Sequence, residues 1–246
     1  MIKSQNQDHC TVCGHVGIFI DIELMREGIS CTNCRSNLRS RNMSAVLVET
    51  LSSGHCVSFR DLCRVKNMPD ASILEISGPN PFFKMSEACD WLNYVSMERS
   101  EAFIESKMNI LSENMLDLYK DKSFDMILAG DVLDIMPDDV KFLGALYKIL
   151  NPGGAVLVTV PFKWPVQDVT LHRSQKIKGR LKNHLDQKFK TKNGLPTLVY
   201  REYGLDFLDM AHSLGFESRI TRPSMMSRPG YFDSVFIFSK PEHDLV

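Results

Sequence analysis

The sequence predicts an α/β protein whose sheet is largely parallel, with a small cysteine-bearing unit ahead of it. Three observations carry that expectation. From Ser72 onward, short continuous apolar runs alternate with amphipathic stretches, as in βαβ units. Two Cys-x2-Cys pairs sit within the first 45 residues, the spacing of a closed metal site. The chain has 246 residues, 43% apolar and 24% charged, enough for one α/β domain and a small module. Its formal net charge is -1, so no global field draws it to nucleic acid or to a membrane surface.

Residues 1–45 form one compositional block, rich in Cys, Gly, Asn, Arg and Ser. Met43, Val46, Leu47 and Leu51 then repeat on one helical face before the Ser52-Ser53-Gly54 break, and a linker helix is expected over 46–70. Ser72–Ser77 reads as a buried strand closed by Gly78-Pro79-Asn80-Pro81, Leu92–Glu98 as a second, and Phe124–Gly130 as a third. Residues 138–150 read as a helix with Val140, Leu143, Leu146, Tyr147 and Leu150 inward, stopped by Asn151-Pro152-Gly153-Gly154. Ala155–Val160 is another apolar strand. Beyond a polar stretch, Leu205–Leu214 reads as a helix closed by Gly215, with Glu217–Thr221 and Ser234–Ser239 as the last strands. No apolar run approaches the roughly 18 residues of a spanning helix. The first eight residues lack the apolar core of a secretory signal, so no membrane partner and a cytoplasmic location are expected.

Cys10-x2-Cys13 and Cys31-x2-Cys34 are separated by 17 residues. Two tight turns, each presenting two thiolates, supply the four ligands of tetrahedral zinc. A closed four-sulfur site has no open coordination position, so the Zn2+ is expected to be structural. The competing reading is a redox pair or four free thiols. Gly14 suits a left-handed position after the first pair. His9 and His15 flank that pair and read as surface residues; Cys56, Cys63 and Cys89 read as small core residues or inert thiols.

In open parallel sheets a ligand lies outside the carboxyl ends of the strands, where the strand order reverses. The first main strand ends at Glu75-Ile76-Ser77-Gly78, and Glu98 closes the second, 23 residues after Glu75. An acid at about that offset suits a ribose diol, whose two hydroxyls donate to one carboxylate. Glu75–Gly78 resembles the first motif of class I S-adenosylmethionine-dependent methyltransferases of the type 11-like kind. Phe124–Asp134 resembles their fourth-strand motif, and Leu146–Gly154 with Val158–Pro161 resembles their helix, Pro-Gly-Gly, strand signature. Arg201-x-Tyr203-Gly204-x-Asp206-Phe207 and Leu214-Gly215-Phe216 are also similar. The likeness covers about 72–240, and a zinc ribbon at 1–45 followed by Arg39 and Arg41 resembles one bacterial subgroup.

The resemblance implies a Rossmann-like, seven-stranded sheet over 71–246 with an antiparallel last strand and S-adenosyl-L-methionine across the switch point. It assigns cofactor contacts to Glu75, Ser77, Gly78, Glu98 and Gly130, and an adenine contact to Asn109 or Glu113. The chain departs from the pattern in keeping one glycine, Gly78, with Pro79 and Pro81 just after it. It also has Asp134-Ile135 after Leu133 and Val199 before the Arg-x-Tyr-Gly motif.

Methyl transfer is an in-line displacement in which the protein aligns the acceptor and excludes water. Asp131, just past the fourth-strand motif, is the first expected catalytic group, and His172 the second. Residues 172–192 carry Arg173, Lys176, Lys178, Arg180, Lys182, Lys188, Lys190 and Lys192 against Asp186 alone. That run is either a solvated helix face or a mobile lid, at about 163–200, that holds an anionic acceptor. Arg173, Arg201 and Tyr203 are the expected acceptor contacts. The expected acceptor is a small molecule or glycan. RNA gripped by the zinc ribbon, and a non-catalytic binding protein that kept the fold, stand as alternatives.

Overall fold

A computed structural model describes residues 7–18, 30–76, 81–97, 115–161, 167–192, 195–221 and 234–242. The chain begins with two short antiparallel strands, β1 (Gln7–His9) and β2 (Val16–Ile18), on either side of the first cysteine pair. The second pair leads into helix α1 (Leu38–Ser52), where the Asn37 side chain caps the first turn by accepting from the Ser40 N–H. Ser53 in a left-handed conformation ends the helix, and Ser58 caps a short second one, α2 (Phe59–Arg64). The linker helix expected over 46–70 is therefore two helices, and the first starts eight residues earlier, inside the cysteine-rich block.

The main sheet contains, among the described residues, six strands. Four are mutually parallel: β3 (Ala71–Glu75), β4 (Leu92–Ser96), β5 (Phe124–Gly130) and β6 (Leu150–Thr159). Helix α3 (Phe82–Ser86) lies between β3 and β4, and helix α4 (Asp139–Lys148) between β5 and β6. A hairpin-rich insertion carries β7 (Leu171–His172), β8 (Ser174–Ile177), β9 (Arg180–Asn183), β10 (Lys188–Lys192), β11 (Leu195–Val199) and β12 (Arg201–Glu202). Helix α5 (Phe207–Ser213) follows, then β13 (Glu217–Thr221) and β14 (Val235–Ser239). The order across the sheet is β13-β14-β6-β5-β3-β4, and the last strand is antiparallel to both its neighbours. The expected α/β, Rossmann-like architecture is present, and six of the implied seven strands fall among the described residues.

Side chains alternate across the sheet, so each central strand feeds two cores. Ile127 and Ala129 join Val156, Val158, Phe236 and Phe238 under α4 and α5, where Phe142, Leu143, Leu146 and Phe207 cover them. Met126 and Leu128 join Ala155, Leu157, Val235 and Ile237 on the opposite face. Met43, Val46 and Leu47 of α1 and Phe59 and Leu62 of α2 cover that face. This explains the early start of α1: a central sheet with two apolar faces needs a helix layer on each, and α1 supplies one.

Asn151-Pro152-Gly153-Gly154 ends α4 as expected but lies within the span of β6. The ladder jumps from Phe124↔Leu150 to Met126↔Ala155, so the four residues form a bulge. Asp125 holds it. Its carboxylate accepts from the Asn151 amide at 2.7 Å and from the Ser72 N–H and hydroxyl at 2.7 and 2.8 Å.

The basic segment is not a helix. β8 pairs with β9, β10 with β11, and β7 with β12, all antiparallel. Lysines at every second position, 188, 190 and 192, are the strand signal in the sequence. Among the described residues no helix is long and apolar enough to cross a membrane.

Burial pushes the Asp125 carboxyl up, but the hydrogen bonds from Asn151 and Ser72 outweigh it and hold the group below its ordinary 3.8. A depressed folded pKa stabilises the fold fully above the unfolded value, and the contribution is lost as pH falls through the folded one. In urea titrations across pH 6 to 3, Asp125→Asn should be less stable than the parent at neutral pH, with the gap closing on acidification. A gap independent of pH would assign the effect to packing.

Candidate metal centre and methyl-transfer cleft

The two cysteine turns repeat one geometry. In the first, Gly14 N–H donates to Cys10 O at 2.7 Å and Cys10 N–H to His15 O at 2.9 Å. In the second, Arg35 N–H donates to Cys31 O at 2.8 Å and Cys31 N–H to Ser36 O at 2.8 Å. Gly14 and Arg35 hold the same left-handed position, with φ of 71° and 63°. Glycine adopts it freely; the arginine is strained there. A side chain at Gly14 would also meet the Ser58 hydroxyl at 3.2 Å.

These turns bring Cys10, Cys13, Cys31 and Cys34 together, with all four sulfurs within 4.8 Å of one another. Cys10 Sγ lies 3.7 Å from Cys34 Sγ, and Cys13 Sγ 3.7 Å from Cys31 Sγ. A disulfide needs about 2.05 Å. A tetrahedron of sulfurs about 2.3 Å from a zinc ion has edges of about 3.8 Å. The donor set thus fits zinc. Hydrogen bonding from Cys34 is the main cause that lowers the Cys10 thiol, and the same contact, with burial, pushes Cys34 up. The Ser36 hydroxyl lies 3.2 Å from each of Cys10 and Cys34, and the Asn33 amide donates to Cys13 Sγ at 3.4 Å. His15 is exposed beside Thr32, and His9 is exposed as well. Cys63 and Cys89 are core residues whose thiols burial pushes up.

The strand order reverses between β3 and β5, which opens a crevice at their carboxyl ends. Glu75 is buried there, at 1% exposure, and pairs in register with Leu128. The Tyr94 hydroxyl is raised well above its usual range by burial and then by the negative charge of Glu75. A desolvated carboxylate at this point fits a cationic ligand such as a sulfonium with its α-ammonium group. Gly130 ends β5 beside it. Ser77, Gly78, Glu98, Asn109 and Glu113 lie outside the described residues.

Past Gly130 the chain turns through Asp131, in a left-handed conformation with φ of 51°. Asp131 is expected to face an acceptor as a base, but it is buried and ion-paired. Arg39 Nη1 of α1 reaches its Oδ2 at 2.6 Å, and the Thr159 hydroxyl donates to Oδ1 at 3.2 Å. A carboxylate held by a guanidinium is a weaker base. Nor does it cap the following turn, whose N-cap is Val132, with no side-chain cap. Asp134 and Asp139 are buried in the same segment. Lys190 of β10 donates to both Asp134 oxygens, at 2.6 and 2.8 Å, and to the Asp131 carbonyl at 2.8 Å.

Arg201 and Tyr203, expected at the acceptor, are buried and bound to the protein itself. Arg201 donates to the carbonyls of Leu133, Met136 and Pro137, at 3.2, 2.8 and 3.0 Å, and pairs with Asp139 at 3.2 Å. The Tyr203 hydroxyl donates to Asp139 Oδ2 at 2.7 Å. At Gly204 an added Cβ would lie 2.5 Å from the Val169 backbone, so no other residue lets these chains cross. Asp206 accepts from the Thr170 N–H at 2.9 Å. The whole Arg-x-Tyr-Gly-x-Asp motif therefore fastens the root of the insertion. Arg173 is half-buried, donating to Glu202 Oε1 at 2.9 Å, a carboxylate it shares with Lys188. His172 is exposed on β7. Sequence reasoning missed Arg39 and Lys190 as partners of this turn because their partners are 92 and 56 residues away.

Residues 82–158 match the model of a family described as "Methyltransferase domain". Phosphoethanolamine N-methyltransferase 2 of Caenorhabditis elegans is 30% identical over 67 residues, which are 27% of this chain. The match spans only 15% of that relative's length. Among solved structures, the glycopeptide N-methyltransferase MtfA complexed with S-adenosyl-L-methionine aligns at 14% identity and a TM-score of 0.41, covering 74% of this chain and 92% of that one. The sugar N-methyltransferase KedS8 from Streptoalloteichus sp ATCC 53650 aligns at 13% identity and 0.44, covering 75% and 85%.

Two outcomes follow from this geometry. Purified protein should carry one zinc per chain by elemental analysis, and Cys31→Ser should lose it; full zinc retention in that variant would remove Cys31 from the site. Arg201→Ala leaves Asp139 buried without its cation, and should cost about 3–5 kcal/mol in a urea titration. A loss below about 1 kcal/mol would mean water replaces the guanidinium. Over residues 82–158 the chain is thus similar to a family described as "Methyltransferase domain", on a sheet whose strand order is Rossmann-like.

Proposed function

We propose that the protein is an S-adenosylmethionine-dependent methyltransferase acting on a small or carbohydrate-type, anionic acceptor, with zinc as a structural ion. The observation that carries this reading is the family match over 82–158 on a sheet whose switch point holds the buried carboxylate Glu75. S-adenosylmethionine, when bound, supplies a methyl group on a cationic sulfur. Glu75 is the residue suited to balance that positive charge from within the crevice. Ser77, Gly78 and Gly130 are proposed to contact the cofactor, Glu98 to hold its ribose, and Asn109 or Glu113 its adenine.

The acceptor end of the same crevice is proposed to lie between the turn after β5 and the hairpin insertion. Asp131 there acts by fixing the Arg39 guanidinium, which is 30% exposed and offers a fork to an anionic group. His172 and Arg173 come from the insertion and are the remaining candidates for proton acceptance and acceptor contact. The insertion serves as the cover that excludes water. The zinc unit is proposed to act at a distance, by holding the start of α1 and hence Arg39.

Calorimetry with S-adenosylhomocysteine tests the reading directly. The parent should bind, and Glu98→Ala should weaken binding by about 1–3 kcal/mol, the scale of a lost charged hydrogen bond. A parent that binds neither S-adenosylhomocysteine nor S-adenosylmethionine would leave a binding protein that kept only the fold.

A further inference from the structure

A cavity of 610 Å³ opens between the second cysteine turn, α2 and α3. Arg35 from the cysteine turn, Arg60 and Arg64 from α2, and Lys84 from α3 all line it. Among the described residues no carboxylate does. Pro81 and Met85 add an apolar part to the wall. Four cations around one cavity are a local departure in a chain whose formal net charge is -1. Like charges gathered around one cavity raise the local concentration of anions.

The acid nearest in sequence does not neutralise them. Asp61 sits between Arg60 and Leu62, but its carboxylate accepts from the Ser58 hydroxyl at 2.6 Å. Among the described residues none of the four cations forms an ion pair, in contrast to Arg39, Lys188, Lys190 and Arg201. The side chains also come from three separate elements. The Arg60 N–H donates to the Val12 carbonyl of the first cysteine turn at 3.0 Å, and Arg35 is held in its strained conformation by its bond to Cys31.

We infer that this cavity is a binding site for the phosphoryl group of a small molecule, separate from the methyl-transfer crevice. Its volume lies in the range of small-ligand pockets, about 300–1,000 Å³. The guanidinium forks of three arginines match phosphate oxygens, and Pro81 and Met85 accommodate an apolar or planar remainder. An extended polyanion such as RNA calls for a basic track along the surface, whereas these four cations converge on one cavity and suit a compact ligand.

The test is calorimetric titration of the full chain with inorganic pyrophosphate at low and moderate salt. Saturable binding is expected, weakened about tenfold or more in Arg60→Ala/Arg64→Ala. Arg60→Lys should recover part of it. S-adenosylhomocysteine binding should be the same in all of these, which separates this site from the crevice. Circular dichroism checks the double variant; if it is unfolded, the exposed pair Arg64→Gln/Lys84→Gln gives the same readout. Absence of saturable pyrophosphate binding, or equal affinity in a folded double variant, overturns the inference. So does tight binding of a single-stranded oligoribonucleotide whose salt dependence reports many phosphate contacts while pyrophosphate binds weakly.

Discussion

Three aspartates in the nine residues after β5 are buried, and each is balanced by a cation from a distant part of the chain. Asp131 takes Arg39 from the amino-terminal helix, Asp134 takes Lys190 from the insertion, and Asp139 takes Arg201 from the strand that closes it. A buried carboxylate without a partner is strongly unfavourable, so the turn can take this shape only when all three segments have arrived. The Arg201 guanidinium also donates to three carbonyls of this turn, those of Leu133, Met136 and Pro137. The turn after the central strand is thus the point at which cysteine unit, sheet and insertion are joined. It lies at the carboxyl end of β5, next to the reversal of strand order.

The amino-terminal unit depends on the sheet in a second way. Cys10, Cys13 and Cys31 belong to the same apolar cluster as Phe59, Ile73, Leu128 and Ile237. The cysteine turns are packed against the helices that cover one face of the sheet. Arg41, fully buried at 1% exposure, ties the two by donating to the Ser36 carbonyl at 2.7 Å. The Ser44 hydroxyl does the same with the Thr11 carbonyl at 2.6 Å. The cysteine turns act through these bonds on α1, and through α1 on one whole core.

The strands of the main sheet were legible because each is short, continuous and apolar, and bounded by breakers. Phe124–Gly130 has the bounds expected, and Glu217–Thr221 likewise. The four cysteines were legible from spacing alone, since the turn of a Cys-x2-Cys pair is local. The insertion was harder. Its charges hide a period of two, and the alternation that makes Lys188 and Lys190 share a face was read as a solvated surface.

What the sequence by itself determined is what local patterns encode: apolar runs become central strands, breakers end them, and paired cysteines make turns that face one another. What only the tertiary structure decided is the partnership of charges. Arg201 and Tyr203 sit in a motif that suggested an acceptor, and Asp131 at a position that suggested a base. Yet each polar group is taken up by residues 28 to 92 positions away in the chain. A sequence shows which residues carry charge but not which will lose their water together, and burial decides whether a carboxylate is a base, a ligand or a tie.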